Sequence, residues 1–142
     1  MIETMSRCDR LERWAAVLES ADRPALTPFR DVEFMSAAAR DRLQTANSPL
    51  AVAYEDPVLR RAGLASDRFG DGAAFFDLTR FQAHRVLCSC GYVGRMRPGE
   101  VARRVRRIAA RERLRQQFPG RQLPAFARWL LGWRPPLADQ RG

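Results

Sequence analysis

The compact group of residues able to bind a soft metal or act as a nucleophile is His84, Cys88 and Cys90. His84 and Cys88 are four residues apart, so on a helix they share one face. Cys90 follows near the expected helix end, where Gly91 permits a turn. With the distant Cys8 they would form a Cys₃His set, a known combination for tetrahedral zinc. The spacing matches none of the usual zinc signatures, which use closely spaced cysteine pairs.

Three interpretations of this group stay open. In the first, Cys88 is a small buried residue on an apolar stripe with Phe81 and His84. In the second, His84, Cys88 and Cys90 bind a metal such as zinc. In the third, Cys88 and His84 form a reactive thiol dyad, although no oxyanion donor is visible. We adopt the first, so no cofactor is expected and zinc is the alternative.

Signatures of common enzyme classes are missing from the sequence. It contains no phosphate-binding loop, no dinucleotide-binding glycine motif, no nucleophile elbow and no paired-histidine protease motif. We therefore expect a non-enzymatic protein and assign no catalytic residue.

Charge is distributed unevenly along the chain, whose net charge is +9. All 25 basic residues are arginine. Residues 1–71 hold 10 Arg against 12 acidic residues, whereas residues 72–142 hold 15 Arg against 4. This asymmetry indicates a polyanionic partner for the C-terminal half. The absence of lysine also indicates a genomic bias towards arginine, so the sequence leaves open how much of the charge is functional.

The most basic segment, residues 101–115, carries seven Arg and one Glu. On a helix, Val101, Val105 and Ile108 form one apolar stripe, with arginines on the remaining faces. The stripe ends after Ile108, so the second half is expected to project, bend or contact another chain. The predicted nucleic-acid contacts are Arg103, Arg104, Arg106, Arg107, Arg111 and Arg113.

A polyanion, in particular nucleic acid, is therefore the expected ligand, and the choice between DNA and RNA stays open. We expect Arg106→Ala combined with Arg107→Ala to weaken nucleic-acid binding with little change in melting temperature. The alternative is a protein–protein adaptor or regulator that docks an acidic protein, or a second copy, through its C-terminal helices. Trp129 and Trp133, one helical turn apart, would then contact the partner.

The elements that must position these residues are helices. Capping residues, among them Ser6, Ser36 and Thr79, and prolines at helix starts recur along the chain, and alternating strand patterns are nearly absent. The expected fold is all-α, a compact irregular (orthogonal) bundle of about seven helices with one long basic C-terminal helix. The predicted helices are Ser6–Ser20, Ala37–Gln44, one starting at Pro49, Pro57–Ala62, Gly72–Phe76, Arg80–Cys88, Pro98–Phe118 and a short one from Pro124 to Leu131.

The core is expected to include one face of the first helix, formed by Leu11, Trp14, Ala15 and Leu18. Further core positions are expected within an ordered connection over residues 21–35 and within the aromatic stretch that follows residue 72. These positions are Phe29, Phe34, Met35, Phe75, Phe76 and Phe81.

Length and composition predict one domain over residues 1–134, followed by a frayed tail over residues 135–142. The N-terminus has no apolar signal-peptide region, and no segment is apolar for the roughly 20 residues that a membrane span needs. We therefore expect a cytoplasmic protein without a membrane span.

Overall fold

Seven α-helices account for most of residues 4–118, the part of the chain that the computed structural model describes. Strand pairing within this range is limited to isolated bridges, which confirms the all-α class. None of these helices is long and apolar enough to cross a bilayer. The helices are α1 (Arg7–Glu19), α2 (Ala37–Arg42), α3 (Pro49–Glu55), α4 (Pro57–Arg61), α5 (Phe69–Phe75), α6 (Arg80–Leu87) and α7 (Pro98–Gln117).

Helix starts follow the local signals in the sequence. At five of them the capping side chain accepts a hydrogen bond from the backbone N–H three residues further on, which satisfies a donor that the helix leaves unpaired. The caps are Ser6, Ser36, Ser48, Asp56 and Thr79. Thr79 forms a full capping box, because the Gln82 side chain also accepts from the Thr79 backbone N–H.

The core is built around α1. Its predicted inner face is confirmed, because Leu11, Trp14, Ala15 and Leu18 are all fully buried. The Trp14 ring stacks on Phe76 at a centroid distance of 4.1 Å. The Trp14 indole N–H donates to the Pro49 carbonyl at 3.0 Å, so this large side chain is buried without an unpaired donor.

The connection between α1 and α2 is ordered by hydrogen bonds to distant segments. Phe29 is fully buried, and its N–H donates to the Leu87 carbonyl at 2.9 Å. The expectation that Phe34 enters the core is wrong, since this side chain is 83% exposed. The short 3₁₀ helix Val32–Phe34 buries Val32 instead.

The core face of α6 also differs from the expected one. Phe76 is buried as predicted, but Phe81 is 65% exposed. The helix buries Ala83, Val86 and Leu87, and at 100° per residue Phe81 lies on the opposite side from these three. The expected stripe of Phe81, His84 and Cys88 is therefore not the packing face.

The long helix α7 runs antiparallel to α1 and packs along it. Val101, Val105 and Ile108 are buried as the stripe predicted, together with Ala102 and Ala109. The contact continues past Ile108, because Glu112 pairs with Arg7 of α1 at 2.9 Å. Of the three expectations for the second half of this helix, projection from the body is wrong as far as Arg113, which pairs with Glu12 of α1.

Arg7 joins α1 to three other segments through one guanidinium group, and its side chain is only 12% exposed. It donates to the carbonyl oxygens of Phe76 and Asp77, between α5 and α6, at 3.1 and 2.7 Å. It also donates to the Gln82 side chain of α6 at 3.2 Å and to the Glu112 carboxylate of α7 at 2.9 Å. One side chain thereby fixes the start of α6 relative to α7.

We predict that Arg7→Met lowers the free energy of unfolding by about 2–3 kcal/mol, because it removes the ion pair of the largely buried Glu112 carboxylate and the hydrogen bonds to the Phe76 and Asp77 carbonyls. Arg103→Met is the matched control. Arg103 is exposed, and its loss should change stability by no more than about 0.5 kcal/mol. Urea unfolding at neutral pH measures both, and equal effects of the two substitutions would contradict this role of Arg7.

Candidate nucleic-acid interface

The arginines of α7 that were predicted to contact nucleic acid differ in their surroundings. Arg106 pairs with both Glu12 and Glu19 of α1, and Arg113 pairs with Glu12 at 2.9 Å. The hydrogen bond to the Glu19 carboxylate is the largest cause that raises the pKa of Arg106 above its ordinary value. Along this edge of α7, acidic side chains of α1 already balance the positive charge.

Arg104 is also used inside the protein. Its guanidinium lies over the Tyr92 ring at 3.9 Å from the centroid and donates to the carbonyl oxygens of Arg85 and Gly91. It also donates to Glu100 at 3.1 Å, and the side chain is 16% exposed. Arg104 therefore links the C-terminal end of α6 to α7, and only part of the Arg104 side chain is accessible to a ligand.

The remaining predicted contacts, Arg103, Arg107 and Arg111, are exposed and spaced by four residues. At 1.5 Å per residue, successive members stand about 6 Å apart along one stripe of α7. Arg103 borders a separate cavity that also contains Glu19 and Glu100. The other two face α6.

Between α6 and α7 lies a cavity of about 300 Å³, which we call the basic groove. Four arginines line it, and none of its described lining residues is acidic. The apolar side chains Val86 and Ile108, both buried, form part of its wall. The complete lining is Phe81, Gln82, Arg85 and Val86 from α6 and Arg104, Arg107, Ile108 and Arg111 from α7.

Sequence reasoning did not assign two of these residues, Phe81 and Arg85, to the site. They are four residues apart on α6, and the Arg85 guanidinium lies 5.7 Å from the centre of the Phe81 ring. The helical pattern could have identified them, because both residues lie on the face of α6 opposite the buried Ala83, Val86 and Leu87. A competing pattern obscures it, because Phe81 also falls on one helical stripe with His84 and Cys88 and is therefore expected in the core.

The structure separates the three residues of the predicted metal group. Cys88 is buried in the core, with its Sγ 3.9 Å from the Ala83 carbonyl oxygen. Desolvation by burial raises the pKa of the Cys88 thiol to about 12, so at neutral pH it is neither a thiolate nor a ready nucleophile. Cys8 is buried at another place, against the Ala109 carbonyl.

Cys90 and His84 do remain neighbours, with 3.8 Å between Cys90 Sγ and His84 Nδ1. Cys88 does not join them, and no cluster of three His, Cys, Asp or Glu ligands occurs among residues 4–118. The predicted set of His84, Cys88 and Cys90 is thus reduced to a pair, which is too few ligands for a tetrahedral site.

The predicted docking residues Trp129 and Trp133, like the short helix Pro124–Leu131 and the tail 135–142, lie outside the described residues.

Comparison of the chain with family models, curated proteins and solved structures found no match.

The contacts of α7 change the expectation for two neighbouring arginines. We predict that Arg106→Ala lowers the free energy of unfolding by about 1 kcal/mol, because it removes both ion pairs to α1 from partly exposed positions. Arg107→Ala, one residue away, should leave stability within about 0.5 kcal/mol. Urea unfolding of the two single variants separates these effects, and a loss of stability in Arg107→Ala alone would contradict the assignment.

Proposed function

We propose that this protein is a non-enzymatic nucleic-acid-binding protein and that the basic groove is its binding site. The observation that carries the proposal is the composition of the groove, to which two different helices contribute arginines and no described residue contributes a carboxylate. Each arginine that meets a phosphate would release condensed counterions and so add a salt-dependent contribution to the affinity.

The contrast between the two edges of α7 supports this choice of surface. On the edge facing α1, Glu12 and Glu19 balance Arg106 and Arg113. On the edge facing α6, Arg85 and Arg107 line the same groove with no described acidic residue in its lining, and like charges brought together repel one another. A bound polyanion would relieve that repulsion.

The chemistry of arginine also suits a phosphate ligand. Its planar guanidinium stays charged at all physiological pH values and can donate two parallel hydrogen bonds to one phosphate. Arg85 and Arg107 come from opposite walls of the groove, so a phosphodiester chain running between α6 and α7 would meet donors from both sides. An acidic protein segment is the competing ligand for the same charges.

The test is fluorescence anisotropy with labelled DNA and RNA over a series of salt concentrations, including physiological salt. We predict that Arg85→Ala combined with Arg107→Ala weakens binding by about ten- to a hundredfold and lowers the slope of log K against log salt by about 2. The matched control is Arg30→Ala combined with Arg42→Ala, which removes the same charge from exposed positions outside the groove.

The control should weaken binding by less than about threefold, because neither Arg30 nor Arg42 lines the groove and salt screens exposed charges that do not contact the ligand. Equal losses in the two double variants would mean that net charge, rather than the groove, attracts the ligand. A wild-type protein that binds none of these nucleic acids at physiological salt would reject the proposal and favour an acidic protein as partner.

A further inference from the structure

Phe81 is an exposed aromatic side chain on the wall of the basic groove. The residue is 65% exposed although it stands in the first turn of a well-capped helix whose other apolar side chains are buried. Transferring a Phe side chain out of water is favourable, so a ring that remains in solvent lacks that stabilisation. A ligand that covered the ring would recover it.

The surroundings of the ring indicate what would cover it. Arg85 packs over Phe81 from the next turn of α6, and Arg107 and Arg111 stand on the facing wall. An aromatic ring flanked by guanidinium groups is the arrangement by which proteins bind single-stranded nucleic acid, with bases stacked on the ring and phosphates held by arginine.

Building on the proposed function, we infer that the basic groove receives an unpaired nucleobase stacked on Phe81, and therefore prefers single-stranded nucleic acid to a duplex. In a duplex the bases are paired and stacked between their neighbours, so none is available to stack on Phe81. In a single strand, a base can turn into the groove while its flanking phosphates meet Arg85 and Arg107.

The shape of the site favours a base over a lipid surface. Helices that lie in a membrane interface present a row of apolar residues along a convex face. Here the exposed face of α6 offers one aromatic ring, and that ring lines a concave cavity of about 300 Å³. The cavity is at the small end of the range for ligand pockets, which suits one planar base rather than an acyl chain.

The experiment measures the affinity of the full chain for four probes: a labelled single-stranded oligonucleotide, a duplex of equal length, a single strand of equal length made of abasic sites, and anionic phospholipid vesicles. The abasic strand keeps the phosphates and removes the bases. We predict that the wild-type protein binds the base-containing strand about tenfold or more tightly than the abasic strand and the duplex, and does not bind the vesicles measurably.

Two variants locate the effect at Phe81. Phe81→Leu should remove most of the preference for the base-containing strand over the abasic strand, and Phe81→Tyr should retain the preference because it keeps a stacking ring. Since Phe81 is exposed, neither variant should lower the melting temperature appreciably, so loss of folding does not confound the result.

Equal binding of the base-containing and abasic strands, or an unchanged preference in Phe81→Leu, would overturn the inference. Either of these outcomes would leave the proposed function intact, provided that Arg85→Ala combined with Arg107→Ala lowers the affinity for all three nucleic-acid probes. Tight vesicle binding that depends on Phe81 would overturn the inference in favour of a membrane surface. Absence of binding to every nucleic-acid probe would overturn both proposals.

Discussion

The hydrogen-bonded guanidinium of Arg7 is the interaction on which the geometry of the groove depends. Removing an arginine and a glutamate from water is unfavourable, and it is offset only when the buried groups find good partners. Arg7 meets this condition, because Glu112, two backbone carbonyls and the Gln82 amide oxygen all accept from it. Gln82 itself lines the groove, so the contact that anchors α1 also sets where the α6 wall begins.

The second constraint is that α1 pairs its glutamates with arginines on only one edge of α7. Its inner face buries apolar residues against Val105 and Ala109, and its glutamates hold Arg106 and Arg113 along one edge. Arginines on the other edge of α7 face α6, where the groove is lined by residues such as Phe81 and Arg85 and by no described acidic residue. The same packing thus stabilises the helix pair and leaves a positively charged cavity beside it.

Local features of the fold, such as helix caps, could be predicted from the sequence, whereas contacts between residues distant in the chain could not. Ser6, Ser36 and Thr79 were recognised as caps because a cap depends on residues within one turn. The pairing of Arg106 with Glu12 joins residues that are far apart in the chain, and nothing in their spacing indicates it. Arg104, Arg106 and Arg113, which the sequence predicts as nucleic-acid contacts, are among the arginines that have intramolecular partners of this kind.

The shared face that the spacing of His84 and Cys88 predicted is absent for a different reason. The spacing argument assumed a helix running through Cys88, but α6 ends at Leu87 and Cys88 has extended backbone angles. That change of direction carries Cys88 into the core and leaves Cys90 on the surface beside His84. A shift of one residue at a helix end is therefore enough to separate two side chains that a continuous helix would place on one face.

The central claim is that a ligand enters between α6 and α7, and chemical-shift mapping tests it most directly. Isotope-labelled protein would be titrated with a short single-stranded oligonucleotide and followed by amide and arginine side-chain correlation spectra. The account predicts that the largest shift changes fall at Phe81, Arg85, Arg107 and Arg111. Changes concentrated instead on α1, or around Arg103 and residues 93–97, would place the binding site elsewhere and contradict it.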